Sequence, residues 1–257
     1  MKKWKGLAAA GGIEAVVEAM KTHPYNVDVQ HQGCWALTNI AIDTDNKVLV
    51  ARAGGIETVV EAMKMHLFSV DVQHYGCGAL LNIAVNADNK VLVARAGGIE
   101  AVVEAMKAHQ HNADVQHYGC WALWSIATNA DSKVVVASAG GIEAVVEAMK
   151  AHQHNADVQV NGCRALSSIA IYANNQVPVA RAGGIEAVVE AMKAHQYNAD
   201  VQHQGCWALL NICKSSTEIC ELIVKAGGKN VAMQAQSLHL SQSGVQEKCK
   251  ELLQRLM

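Results

Sequence analysis

The 257-residue chain is poor in aromatic residues, which make up 4% of it and include a single Phe, Phe68. A core built on large rings is therefore excluded. Since 51% of the residues are still hydrophobic, largely Ala and Val, the interior must be assembled from many small contacts. Proline is nearly absent, with two residues in all, so little stands in the way of long helices. An excess of positive charge is also lacking: 21 Lys and Arg face 23 Asp and Glu, a formal net charge of −2. That balance removes the broad basic surface on which nucleic acid is held through its phosphates. No apolar run reaches the ~18 residues of a membrane-spanning helix, so no membrane partner is expected. The opening KKWKGLAAAGG has the charged start of a secretory signal, but Glu14 interrupts the apolar stretch after about eight residues, and the segment is expected to belong to the fold.

What the chain does have is repetition. Gly-Gly pairs begin at 11, 54, 97, 140, 183 and 227, giving spacings of 43, 43, 43, 43 and 44. A chain of this length either divides into domains or grows in one dimension. A period of 43 falls among the solenoids whose units contain two or three helices. The expected units are residues 1–43, 44–86, 87–129, 130–172, 173–216 and 217–257, forming one domain of five close copies and a divergent sixth. The first and last act as caps, because MKKWKGLAAA, KNVAMQAQSLHLSQSG and VQEKCKELLQRLM carry polar residues where the inner copies are apolar.

Each unit reads as three helical segments. In AGGIEAVVEAMKTH, Ile13, Val16, Val17 and Met20 recur at helical spacing, with Glu14, Glu18 and Lys21 opposite. The next helix begins near NVDVQ, where Asn26 caps the free amides and Asp28 meets the positive helix end, and it runs on through GCWALTNIA. A short helix, DNKVLVARAGG, opens at Asp45 and closes at Gly54. In the fourth copy Pro178 interrupts the equivalent NNQVPVARAGG. With that helix starting at Asn175, Pro178 sits in its first turn, where the missing amide costs little.

The long segment recurs as DVQHQGCWALTNIA (28–41), DVQHYGCGALLNIA (71–84), DVQHYGCWALWSIA (114–127), DVQVNGCRALSSIA (157–170) and DVQHQGCWALLNIC (200–213). These strings, with a glycine pair between the short helix and the next, resemble the armadillo repeat family over nearly the whole chain. The resemblance implies an all-α fold: a right-handed α-solenoid of about six three-helix repeats, with a concave groove lined by the third helices, which are the long ones. In the importin-α branch, Asn and Trp four residues apart on those helices hold an extended peptide. Carried over by position, the Trp column is Trp35, Gly78, Trp121, Arg164 and Trp207, and the Asn column is Asn39, Asn82, Ser125, Ser168 and Asn211. Only the first and fifth copies keep both residues.

The residues themselves support an accessible column. Positions four apart share a helix face, and a Trp beside an amide offers apolar area with a donor and an acceptor. Replacement of Trp by Gly and then by Arg does not suit a shared core slot, which demands similar volume in every copy. One turn earlier the same face reads His31, His74, His117, Val160 and His203.

Other columns look chemical and have simpler readings. Cys34, Cys77, Cys120, Cys163 and Cys206 share one register, but helices packed ~8–10 Å apart hold equivalent cysteines beyond the Cα separation of about 7 Å that a disulfide allows. They read as core residues of an intracellular, reduced protein. His31 and Cys34 lie one turn apart, yet a structural zinc needs four ligands, and no metal or other cofactor is expected. His23, His66, His109, His152 and His195 end the first segment of each copy, where the helix dipole favours positive charge. Five identical Glu pairs of the Glu14/Glu18 type read as a solvated face partnered by lysines. AGGIE lacks the spacing of a phosphate-binding loop, and no nucleophile motif stands out, so no enzyme is expected.

The expected function is a protein-interaction scaffold, monomeric and intracellular, whose groove takes a protein or peptide in extended conformation. Asp43, Asp45, Asp88 and Asp131 favour basic groups near the ladder ends, and Arg164 favours a carboxylate at its centre. The alternative is a structural spacer or consensus-like repeat module with no dedicated ligand.

Overall fold

A computed structural model describes residues 11–128 and 130–257. The opening segment, residues 1–10, expected to contribute to the first cap, lies outside the described residues. The chain divides into two compact units, Met1–Thr128 and Asn129–Met257. Every described element is helical.

In the first unit the order is α1 (Gly12–Thr22), α2 (Val27–Ile40), α3 (Thr44–Arg52), α4 (Gly55–Met65), α5 (Val70–Ile83), α6 (Ala87–Arg95), α7 (Gly98–Ala108) and α8 (Ala113–Ile126). The long third helices α2, α5 and α8 pack on one another in sequence, and α1, α4 and α7 pack behind them. The second unit contains α9 (Ala130–Ser138), α10 (Gly141–Ala151), α11 (Ala156–Ala170), a 3-10 turn (Ala173–Asn175), α12 (Gln176–Arg181), α13 (Gly184–Ala194), α14 (Ala199–Ile212), α15 (Thr217–Lys225), α16 (Gly228–Leu238) and α17 (Ser243–Arg255). There α11, α14 and α17 pack in sequence. Pro178 lies in the first turn of α12, as its sequence position predicts.

Local chemistry sets the helix ends. The Asn26 side chain accepts from the Asp28 and Val29 amides, and Asn112, Asn155 and Asn198 repeat the cap. The short helix opens two residues earlier than Asp45 suggested, since Asp43 is the cap and accepts from the Asp45 amide. Gly54 has φ 80°, a left-handed turn that redirects α3 into α4 without the penalty a Cβ would bring.

Three columns hold neighbouring helices together. Gly119 lets α8 lie against α7 so closely that an added methyl carbon would sit 2.5 Å from Met106 Cγ. Buried Gln116 donates from Nε2 to the carbonyls of Met106 (2.8 Å) and His109 (2.9 Å), occupying acceptors that the end of α7 leaves open. Gln30, Gln73, Gln159 and Gln202 do the same in their own copies. Gln246 repeats this role on Gln236 and His239, a spacing of 44 from Gln202, which puts Cys249 in the register of Gly205.

The third column gives the histidines at the helix ends a further role. His66 Nε2 donates to the Pro24 carbonyl at 2.7 Å and His109 Nε2 to that of Leu67 at 2.7 Å. In the second unit His195 bonds to Gln153 and His239 to Gln196. A carbonyl only accepts, so the proton must reside on Nε2. Within each unit these rings tie a loop to the copy that follows.

The cysteines are buried thiols. Burial pushes Cys34, Cys77 and Cys163 up to about 12. Cys206 and Cys249 bring their sulfurs to 3.5 Å as a thiol contact. No helix of the described residues is long and apolar enough to cross a membrane.

Candidate functional site

The third helices are two-faced. On α2 the buried stripe is Gln30, Gly33, Cys34, Leu37 and Ile40, spaced by three and four residues. The opposite stripe holds His31, Trp35 and Asn39. Trp35 is 39% exposed and Trp207, its counterpart on α14, is 41% exposed, while Trp121 on α8 is half-buried.

In the first unit the exposed stripe becomes a row of rings. His31 stacks on Tyr75 (5.2 Å between centroids, 21°), Tyr75 on His74 (4.5 Å, 15°), and His74 lies 4.7 Å from Tyr118. Tyr118 continues to His117 at 4.9 Å and stacks on Trp121 at 6.4 Å and 18°. Burial lowers the His74 pKa against the opposing pull of Asp114 and Asp71, and burial also raises that of Tyr118. Gly78, the gap in the Trp column, is not open. A methyl there would meet Thr38 at 3.3 Å and the Tyr118 ring at 3.7 Å, so the neighbouring copy covers the slot. The Gly therefore reports a covered position, where the sequence had suggested an uncovered one.

The second unit places different groups at the same register. Arg164 Nη1 donates to Asn161 Oδ1 at 3.4 Å. Gln204 Nε2 donates to His203 Nδ1 at 3.1 Å, which requires that nitrogen to be unprotonated. Burial lowers the His203 pKa, and the nearby cations Lys248 and Arg164 push it the same way. Trp207 lies 6.1 Å from His203.

The amide column is partly committed to the fold. Asn39 Nδ2 donates to the Trp35 carbonyl at 2.8 Å, Asn82 Nδ2 to the Thr38 carbonyl at 3.0 Å, and Asn211 Nδ2 to Ser167 Oγ at 2.8 Å. Each amide retains a second N–H and a carbonyl oxygen. Ser125 and Asn211 are buried and Ser168 is half-buried.

Tyr75, Tyr118 and the 37%-exposed Trp124 were not singled out in the sequence. The signal for the tyrosines was present in the column Gln32, Tyr75, Tyr118, Asn161, Gln204, which changes while its neighbours hold.

The remaining columns separate in space. Cys34 is buried, whereas His31 is half-exposed on the other stripe. Among the described residues, no group of three or more His, Cys, Asp or Glu is placed to hold a metal ion. Lys107, Lys150 and Lys193 pair with Glu104, Glu147 and Glu190 at 2.9, 2.9 and 2.7 Å. Glu57 and Glu61 rim a 360 Å³ cavity between α1 and α4 together with Lys21, above Met20, Thr58 and Ala62. The cavity holds no nucleophile paired with a base.

Comparison with known proteins agrees on the fold. A crystal structure of an engineered protein is 26% identical, with a TM-score of 0.83 over 95% of this chain and 96% of that one. Computationally designed armadillo repeat proteins for modular peptide recognition superpose with a TM-score of 0.81 at 19% identity, over 95% of this chain and 99% of theirs. Among curated proteins, Protein aardvark of Dictyostelium discoideum is 43% identical over 42 residues, which is 16% of this chain and 6% of that protein. No family model matches. The fold is that of an armadillo-type repeat protein.

Proposed function

We propose that this armadillo-type repeat chain is a protein-interaction scaffold, and that the third-helix face of its units takes an extended segment of a partner protein. The observation that carries the reading is the exposure of Trp35 and Trp207 on helices whose opposite stripes are fully buried, with Asn39 beside Trp35 keeping bonding capacity. A Trp supplies apolar area, and the spare amide N–H and oxygen of Asn39 and Asn82 match the donor and acceptor of an extended backbone. Such a backbone advances about 3.3 Å per residue, so each third helix meets a few residues of it. The designed proteins that share the fold, built for peptide recognition, support the same reading.

The two units offer different side-chain chemistry. In the first, Trp121 and the ring row suit apolar or cationic side chains. In the second, Arg164, Ser168 and Trp207 suit a segment bearing carboxylates. The scaffold works as a monomer inside the cell, without a cofactor and without catalysis.

The test is binding of a random extended-peptide library to the native protein and to the Trp35→Ala/Trp121→Ala/Trp207→Ala variant. Selected peptides should bind the variant at least tenfold more weakly, on the order of 1.4 kcal/mol. Equal retention of the same peptides by the variant would remove the reading. A spacer role is favoured instead by the bonds of Asn82 to Thr38 and Asn211 to Ser167, which put the amide column to work inside the stack. A native protein that selects no peptide at all decides for the spacer.

A further inference from the structure

The loops leading into the third helices carry a feature that packing does not use. In the five close copies one loop position reads Tyr25, Phe68, His111, His154 and Tyr197. The residue type changes three ways, yet the side chain stays a planar ring. The preceding position shows no such constraint, running Pro24, Leu67, Gln110, Gln153, Gln196. The following position keeps Asn or Ser because it caps the next helix. No comparable internal role accounts for the rings: Tyr25 is 84% exposed, Phe68 85% and Tyr197 77%, and both histidines are exposed as well.

The loop backbone that carries the rings is held on both sides. The carbonyls just before Tyr25, Phe68, His154 and Tyr197 each accept a bond from a histidine of the following copy, at 2.7 or 2.8 Å. On the other side, glutamines of the third helices hold the His23, His66, His109, His152 and His195 carbonyls at 2.9 Å. Three residues beyond each ring stands an exposed aspartate: Asp28, Asp71, Asp114, Asp157 or Asp200. Among the described residues none of these carboxylates takes part in an ion pair, whereas Lys107, Lys150 and Lys193 of the second helices are neutralised by glutamates. Each loop thus presents an open ring and, three residues on, an exposed carboxylate in the first turn of the third helix.

We propose that this loop edge is a second interaction surface on each unit, bordering the third-helix face, and that it docks a partner segment presenting arginine side chains, one to a loop. A guanidinium stacks flat on an aromatic ring and at the same time donates to a carboxylate, which an ammonium does less well. A loop backbone already held at both ends loses little freedom on docking.

The probe is fluorescein-labelled octa-arginine, followed by anisotropy in near-physiological salt. It is titrated against the native protein, the edge variant Tyr25→Ser/Phe68→Ser/His111→Ser, and the groove variant Trp35→Ala/Trp121→Ala. The edge variant should bind roughly tenfold more weakly, as loss of three cation–ring contacts implies, while the groove variant stays within about twofold of native. Since the serines replace exposed rings, far-UV circular dichroism should be unchanged. The Asp28→Asn/Asp71→Asn/Asp114→Asn variant gives a second reading of the same surface and should weaken binding too. The proposal is overturned if the native protein does not bind, or if both edge variants bind as native does. A loss confined to the groove variant overturns it as well, while upholding the third-helix face as a binding site.

Discussion

At one register, the first unit stacks His31, Tyr75, His74, Tyr118 and Trp121 into a row of rings, while the second sets Asn161, Arg164, His203 and Gln204 into a polar cluster. Behind these two faces the scaffold is the same. Gln116 and Gln159 make the same pair of bonds, Gly119 and Gly162 meet the same methionine position, and Cys120 and Cys163 are equally buried. The third helix therefore keeps its stack-building residues apart from its outward residues. A face can change chemistry while the core stays fixed, because alternate stripes of one helix answer to different neighbours.

That equivalence is open to direct attack. Replacing Gln116 by Leu leaves two helix-end carbonyls without their buried donor and should cost about 2–4 kcal/mol in denaturant unfolding. Gln159→Leu in the second unit should cost the same, to within roughly 0.5 kcal/mol. A clear difference between the two would show that the scaffolds are not equivalent. Gly78→Trp, which restores the Trp column in the first unit, should destabilise by about 1–3 kcal/mol, because the indole has to displace Tyr118 and Thr38. If the variant is as stable as native, the ring row does not cover that slot.

The smallest effect is on pH dependence. His74 and His203 both have folded pKa values below the ordinary 6.5, chiefly through burial. The unfolded chain therefore binds protons more readily, so stability is full above about pH 6.5 and declines as pH falls below it. His74→Gln and His203→Gln should each flatten the fall in Tm between pH 7 and 5 by a small amount. An unaltered profile in both would place the titration elsewhere.

Much of this was legible in the residues. The period, the three helices, the Asn26 cap and the buried cysteine column follow from spacing and local chemistry. The Trp column was visible as an outward stripe because Arg164 does not fit a core. What the column could not show was its surroundings. Whether Gly78 is open depends on Tyr118, a full copy later, and the use made of the Asn82 amide depends on Thr38, 44 residues earlier. The histidine and glutamine columns were equally plain as columns, but their partners lie in separate helices and loops that only packing brings together. Reasoning along one helix reaches neighbours three and four residues away, and it does not reach bonds made between copies.

The bond from His66 to Pro24, repeated from His109 to Leu67, has a consequence for how such a chain can change its length. Each copy brings both a donor for the copy before it and an acceptor for the copy after it. Excising residues 66–108 would join Met65 to His109 and deliver that imidazole to the carbonyl that His66 had held. Cutting or pasting 43 residues at this seam leaves every hydrogen-bonding group of the joint matched, so the gain or loss of a whole copy is chemically silent there.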